Sequence, residues 1–174
     1  MRATARRAEP AEARAHDPEA AREAALRLLE RTRRTRSDLA RRLRDKGYAE
    51  PVVEDVLARL AGVGLIDDAE YAHAFLVERW GRRAAGWRRL EQELRRRGVA
   101  GDDIDRARAR FVEAQGGADE ARLARRVVEQ ASRRYAALDP RVRRQRLYAL
   151  LARRGFDGET IEQALRAGSS KNDE

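Results

Sequence analysis

Residues 90–100 read LEQELRRRGVA: two leucines stand four positions apart, a glycine follows four positions later, and an apolar residue comes directly after it. Two further stretches repeat this pattern, LARRLRDKGYA at residues 39–49 and LYALLARRGFD at residues 147–157. Leucines four positions apart lie on one face of a helix. A glycine beyond the last turn adopts the left-handed conformation that ends many helices. Each stretch therefore predicts the second half of a helix and the turn that closes it.

The flanks of each stretch carry apolar residues at helical spacing, which predicts one helix before the stretch and one after its glycine. These six helices are expected at about residues 19–32, 68–83 and 119–135 before the stretches, and at about residues 51–61, 102–114 and 159–167 after them. The dominant residues are strong helix formers, and no segment alternates at the period of a strand. The sequence therefore predicts an all-α protein.

Three tandem three-helix repeats follow from this spacing, at residues 19–66, 67–115 and 116–168. A disordered basic tail is predicted at residues 1–18, and a short C-terminal tail at residues 169–174. Because 33 of the 174 residues are alanine, each repeat has few large apolar side chains and must stack on its neighbour to form a core. The predicted architecture is three repeats stacked into an elongated, curved array.

Local signals refine this picture at two helix starts and at one aromatic residue. Thr35 and Asp67 each precede an acidic residue by three positions, the spacing of a capping box. Trp87 shares a helix face with Leu90 and Leu94, so we predict that it is buried, while an exposed tryptophan would instead anchor a partner.

The charge balance favours a polyanionic partner. Basic residues number 39 against 30 acidic ones, which gives a net charge of +9 and a natural affinity for nucleic acid or an acidic protein surface. Since 37 of the basic residues are arginine, a bias that a GC-rich genome also produces, the charge alone leaves a merely solvating role open. No apolar run approaches the ~20 residues of a membrane span. We expect a cytoplasmic monomer.

No set of residues has the spacing of a catalytic, cofactor or metal site. His16 and His73 are isolated from each other and from any second ligand at helical spacing. The acid pairs at residues 67–68 and 102–103 each precede a helix, where carboxylates satisfy free N–H groups. The chain has no cysteine and no glycine-rich phosphate loop. We predict a protein that is not an enzyme and binds no cofactor or metal.

When the repeats are aligned, the positions two and nine residues before each glycine fall on one outward face of the middle helix. They are arginines in the second and third repeats, but Asp38 and Asp45 in the first. With their basic neighbours, the predicted partner- or DNA-binding residues are Arg82, Arg83, Arg88, Arg89, Arg95, Arg96, Arg141, Arg143, Arg144, Arg146, Arg153 and Arg154. The alternative is that these arginines only solvate the outer face and pair with nearby acids such as Glu91, Glu93 or Asp157.

The order of these motifs resembles the RecX family, bacterial regulators of the RecA recombinase. The resemblance is carried by residues 64–75 and 86–99, and is supported by residues 35–43 and 153–161. It covers about residues 22–166, and departs from the usual pattern where this chain has Thr35 and Asp38 in place of serine and glutamate. Each motif is degenerate, whereas their order and spacing over three repeats are specific.

The resemblance implies a non-enzymatic role in which the protein lodges in the groove of the RecA–DNA filament. Members of the family inhibit the ATPase, strand-exchange and co-protease activities of RecA, and many also bind single- or double-stranded DNA. No family motif assigns the contact residues, so the prediction that the arginines named above bind a partner is based on the comparison of the repeats alone. The competing hypothesis is a stand-alone nucleic-acid-binding protein that coats DNA through its arginine-rich face.

Overall fold

The computed structural model of the protein describes residues 9–82, 84–115, 117 and 119–169, and all regular structure within these residues is helical. The α-helices are α1 Glu9–Ala15, α2 Pro18–Arg31, α3 Arg36–Asp45, α4 Glu50–Gly62, α5 Asp68–Arg79, α6 Trp87–Arg96, α7 Gly101–Ala114, α8 Glu120–Ser132, α9 Pro140–Arg153 and α10 Gly158–Ser169. The all-α prediction is confirmed. The repeats correspond to α2–α4, α5–α7 and α8–α10, so α3, α6 and α9 are their middle helices.

The middle helices end as their glycines predict. Gly47, Gly98 and Gly155 have φ angles of +89°, +80° and +85°, a region that only glycine enters without strain. The N–H of Phe156 turns back to the carbonyl oxygen of Leu151 at 3.3 Å, as in a helix-ending turn. These glycines therefore set the length of each middle helix.

The capping predictions hold in part. Asp67 Oδ1 accepts the N–H of Glu70 at 2.8 Å, and Thr35 Oγ1 accepts the N–H of Asp38 at 3.1 Å. Asp38 does not complete a capping box, because its carboxylate contacts arginine side chains instead. Two predicted helices are shorter than expected: α5 ends at Arg79, and α8 ends at Ser132 before a short 3₁₀ turn.

The N-terminal segment differs from its prediction. Residues 9–15 form α1 instead of a disordered tail, and the carbonyl oxygen of Ala15 accepts the N–H of Ala49 at 2.9 Å. Asp17 then caps α2 by accepting the N–H groups of Glu19 and Ala20, each at 3.0 Å. A sequence rich in alanine, arginine and glutamate forms helix readily when such a contact holds it. Residues 1–8 and 170–174 lie outside the described residues.

Two compact units divide the chain, and each contains part of the second repeat. The first unit runs to Ala72 and adds Arg95–Asp103; its core contains Leu39, Leu43, Tyr48 and Leu57. Tyr48 donates its hydroxyl to the carbonyl oxygen of Ala20 at 3.0 Å, which ties the end of α3 to α2.

The second unit comprises His73–Leu94 and the chain from Ile104 onward. Its third-repeat core is formed by residues of α8, α9 and α10, among them Leu151 and Ile161. An aromatic cluster lies in the second repeat: Trp80 stacks on Trp87 at 4.2 Å, and Phe111 meets both rings edge-on. Trp87 is only 6% exposed, so its predicted place in the core is confirmed.

Candidate partner-binding surface

The start of α3, in the first unit, is held by two groups from the second repeat. The N–H of Arg36, the first residue of α3, donates to Asp68 Oδ1 at 2.8 Å. Thr35 donates its hydroxyl to the carbonyl oxygen of Arg97 at 2.7 Å, and its Oγ1 also accepts the N–H of Asp38, which caps α3. Thr35 is only 2% exposed, so these hydrogen bonds satisfy a buried hydroxyl.

The start of α6, in the second unit, is held in the same way by the third repeat. The N–H of Trp87, the first residue of α6, donates to Glu120 Oε1 at 2.8 Å. The N–H of Gly86 donates to the carbonyl oxygen of Arg154 at 2.9 Å. Arg36 and Trp87 occupy the same position in their repeats, and in each case an acid at the start of the next repeat caps the middle helix.

The glycine turns complete both contacts. A Cβ added to Gly98 would lie 2.2 Å from the Cβ of Ser37, and one added to Gly155 would lie 2.5 Å from the Cβ of Arg89. Gly86 faces the same turn, since a Cβ there would lie 2.4 Å from the carbonyl oxygen of Gly155. We call each arrangement a repeat joint: the start of one middle helix, capped by the next repeat's acid and covered by its glycine turn.

The second joint brings together arginines that are far apart in sequence. Arg89 of α6 and Arg154 of the third repeat line one cavity of about 820 Å³, together with Arg82. Glu78 and Glu93 line the same cavity and form ion pairs with Arg82 at 3.6 Å and with Arg89 at 3.4 Å. The cavity is therefore of mixed charge.

Most of the predicted arginines of the second unit are exposed. Arg88, Arg141, Arg146 and Arg153 are exposed and have no carboxylate within ion-pair distance among the residues that the structure describes. Arg144, also exposed, pairs with Glu162.

Arg143 and Arg154 are half-buried. The alternative that these arginines only pair with nearby acids is met by Arg82, Arg89 and Arg144, which form ion pairs with Glu78, Glu93 and Glu162. Besides the hydrogen bond from the N–H of Thr160, the charge of Arg88 also lowers the pKa of Asp157. Glu91 instead pairs with Arg108 at 3.3 Å. Arg83 lies outside the described residues. Arg95 and Arg96 are exposed and belong to the first unit.

The first unit carries an arginine cluster that the comparison of the repeats missed. Arg34, Arg41 and Arg42 contact the carboxylate of Asp38 at 2.8, 2.5 and 2.7 Å. Burial raises the pKa of Asp38, but hydrogen bonds from the three arginines lower it by more than burial raises it. The resulting pKa is about 2, below the ordinary value of 3.8. The interpretation of this face as anionic in the first repeat is wrong at Asp38, because three guanidinium groups surround one carboxylate.

Glu120, the acid of the second joint, has its pKa shifted upward, in the direction opposite to that of Asp38. Burial raises the pKa of Glu120 above its ordinary value, and the neighbouring charge of Asp157 adds to this, against the hydrogen bond from Trp87, which lowers it. Asp68 at the first joint has its pKa raised by the same cause. Both joints therefore place a carboxylate where its charged form is disfavoured.

We expect Glu120→Gln to stabilise the protein more at pH 7 than at pH 4. A raised folded-state pKa means that the stabilisation from the carboxyl group is present below its unfolded value near 4.5, and is lost as the pH rises through the folded value. The amide oxygen of glutamine still accepts the N–H of Trp87 and carries no charge. Glu120→Ala removes the cap and is expected to lower the unfolding free energy by about 0.5–2 kcal/mol. Urea unfolding at both pH values measures these changes, and an equal effect of glutamine at both pH values would contradict the first expectation.

The part of the chain that the structure describes contains neither a candidate metal site nor a candidate membrane-spanning helix. Within it, no group of three or more histidine or acidic side chains is arranged to hold a metal ion. None of the described helices is long and apolar enough to cross a membrane. His73 is half-buried and meets Phe111 edge-on at 6.4 Å, and its buried Nε2 has no hydrogen-bond partner among these residues.

Models of three RecX domains match this chain in order. They are described as the first three-helix domain of RecX at residues 21–60, the second at residues 67–107 and the third at residues 118–165. The predicted organisation into three three-helix units is confirmed by these matches and by the helices of the structure.

Solved structures share this fold. The crystal structure of RecX from Lactobacillus salivarius superposes with a TM-score of 0.78 at 18% identity, over 87% of this chain and 96% of that one. A second crystal structure, of a regulatory protein RecX, superposes with a TM-score of 0.74 at 29% identity, over 86% of this chain and 73% of that one.

Relatives named regulatory protein RecX are similar in sequence over most of the chain. The protein of Mycobacterium bovis (strain BCG / Pasteur 1173P2) is 40% identical over 148 residues, which cover 82% of each chain. That of Thermobifida fusca (strain YX) is 40% identical over 136 residues, which cover 78% of this chain and 71% of the relative. Three domain matches in order and this degree of identity agree with the resemblance read from the motifs, and the chain therefore belongs to the RecX family.

Proposed function

We propose that this protein regulates the RecA recombinase by lodging on the RecA–DNA filament and inhibiting its recombinase, ATPase and co-protease activities. The observation that carries the proposal is that exposed arginines of α6 and α9 belong to one compact unit. Relatives of the chain bear the name regulatory protein RecX. The proposal places the protein in the cytoplasm, in homologous recombination, DNA repair and the SOS response.

Binding, not catalysis, is the proposed mode of action. Exposed guanidinium groups recognise carboxylates and phosphates through paired hydrogen bonds, and their attraction to an acidic surface speeds association. A filament of protein and DNA presents both kinds of anion. The contact residues that we propose in the second unit are Arg82, Arg88, Arg89, Arg141, Arg143, Arg144, Arg146, Arg153 and Arg154.

The test is the DNA-dependent ATPase of RecA assembled on single-stranded DNA. We expect increasing amounts of the purified protein to suppress ATP hydrolysis and strand exchange in a saturable manner, near stoichiometric ratios. An ATPase rate and a strand-exchange yield that stay unchanged at these ratios would contradict the proposal.

A second candidate function is coating of nucleic acid without recombinase contact, which the arginine cluster around Asp38 favours. Salt separates the two candidates. Coating by arginines releases counterions and weakens steeply with salt, with a slope of about −0.7 in log–log units for each phosphate contacted on a single strand. Suppression of RecA that persists at a salt concentration abolishing binding to free DNA favours a direct contact with RecA.

A further inference from the structure

A cavity of about 560 Å³ lies in the first unit, separate from the arginines of the second unit. Six arginines line it, from the segment before α3, from α3 itself, and from the last residue of α6 and the residue after it: Arg33, Arg34, Arg41, Arg42, Arg96 and Arg97. Such a volume is within the range of small-ligand sites, which is about 300–1,000 Å³. Among the predicted partner-binding residues, only Arg96 lines this cavity.

The cavity is strongly cationic even after its internal ion pairs are counted. Asp38 is the acidic residue among its lining residues, and Glu70 approaches Arg33 at 3.4 Å from outside the lining. Asp38 holds Arg34, Arg41 and Arg42 in fixed positions through direct contacts. Three guanidinium groups around one carboxylate leave excess positive charge, and arginines held in this way lose less conformational entropy when an anion binds.

The first repeat joint builds this cavity. The hydrogen bond from Thr35 to the carbonyl oxygen of Arg97 holds the end of α6 beside the start of α3. Arg97 Nη1 donates to the hydroxyl oxygen of Tyr71 at 3.0 Å, so an aromatic ring also lines the cavity. Repeats that were not joined would leave Arg96 and Arg97 apart from the arginines of α3.

We propose that this cavity binds a phosphate group of a single-stranded nucleic acid, with the adjoining base stacked on Tyr71. Guanidinium forks match the geometry of phosphate oxygens, and a single strand is bound by combining backbone cations with aromatic stacking. The volume accommodates a nucleotide, not only an inorganic ion. This inference deepens the proposed function by naming its nucleic-acid contact, and its test contains no recombinase, so that either proposal can fail without the other.

The test compares two pairs of substitutions that remove equal charge from the first unit. Arg41→Gln with Arg96→Gln alters exposed arginines of the cavity, whereas Arg22→Gln with Arg59→Gln alters exposed arginines outside its lining. Binding of a fluorescent oligothymidine is measured by anisotropy over a range of salt. We expect the cavity pair to weaken binding about tenfold or more and to reduce the salt slope by about 0.7, the value for the one phosphate that the cavity holds. Equal losses from the two pairs would overturn the proposal in favour of generic charge.

Tyr71 distinguishes a strand from a free phosphate. We expect Tyr71→Leu to weaken oligothymidine binding about tenfold through lost stacking, and Tyr71→Phe, which keeps the ring, to change it far less. Binding of inorganic pyrophosphate should not respond to Tyr71→Leu. If Tyr71→Leu leaves oligothymidine binding unchanged, or if oligoglutamate of equal charge displaces the oligonucleotide as well as unlabelled oligothymidine does, the proposal is wrong. Circular dichroism confirms that each variant retains its helices.

Discussion

Replacing Gly155 with alanine is expected to lower the free energy of unfolding by about 3 kcal/mol, because it damages the second repeat joint in two ways. The residue has a φ of +85°, and an L-residue in this left-handed region costs about 1–2 kcal/mol. The new Cβ would also lie 2.5 Å from the Cβ of Arg89 and 2.6 Å from its backbone nitrogen. Overpacking of this kind adds about 1–3 kcal/mol, since the backbone of α6 must move.

Gly47 provides the matched control. It ends the middle helix of the first repeat with a φ of +89°, but a Cβ there would meet nothing within 4 Å. Gly47→Ala is therefore expected to show the conformational cost alone, about 1–2 kcal/mol. Urea unfolding followed by tryptophan fluorescence and by circular dichroism measures both variants. Equal losses at Gly47 and Gly155 would show that the close contact with Arg89 contributes nothing to stability.

Reversing Arg146 and Arg153 to glutamate is expected to raise the amount of protein needed for half-maximal suppression of the RecA ATPase about a hundredfold. Both side chains are exposed on α9, and neither has a carboxylate partner within ion-pair distance in the described part of the chain. Reversal replaces attraction to an anionic partner with repulsion, and like charges placed together at an interface cost several kcal/mol. Helicity should change little, since the substitutions remove no buried contact and only glutamate at position 153, in the last turn of α9, opposes the helix dipole.

The control reverses Arg122 and Arg126, which are exposed on α8 and outside the predicted set. This pair changes the net charge by the same amount, and Arg122 lies in the first turn of α8, where glutamate is compatible with the helix dipole. We expect suppression by this variant to stay within about threefold of the unmodified protein, as for a rim position. Equal losses from the two pairs would leave overall charge, and not a particular surface, as the explanation.

The ends of the middle helices are features that local sequence patterns predicted correctly. Leucines four positions apart and a following glycine predicted where α3, α6 and α9 end, because αL geometry is a property of the glycine itself. The burial of Trp87 followed from its shared face with Leu90. The alignment of the repeats even located the equivalent positions Arg36 and Trp87, although not what they bind.

The arginine cluster around Asp38 is a feature that local sequence patterns did not predict. Read alone, Asp38 marks the first repeat as anionic at a position where the others carry arginine. Its surroundings are set by Arg34, Arg41 and Arg42 and by the approach of Arg97, the residue that follows α6. The sign of a surface depends on every charge within a few ångströms, so a single column of aligned positions did not predict it.

The sequence by itself determined the helical class, the three repeats, their glycine ends and the family, because helix periodicity and αL glycines are local properties that recur at a fixed spacing. Only the tertiary structure decided that Asp68 and Glu120 cap the preceding repeats and that glycine turns cover those helix starts. It also decided which arginines share a cavity. These features join residues that are distant along the chain, and their positions depend on how the helices pack, which no local pattern records.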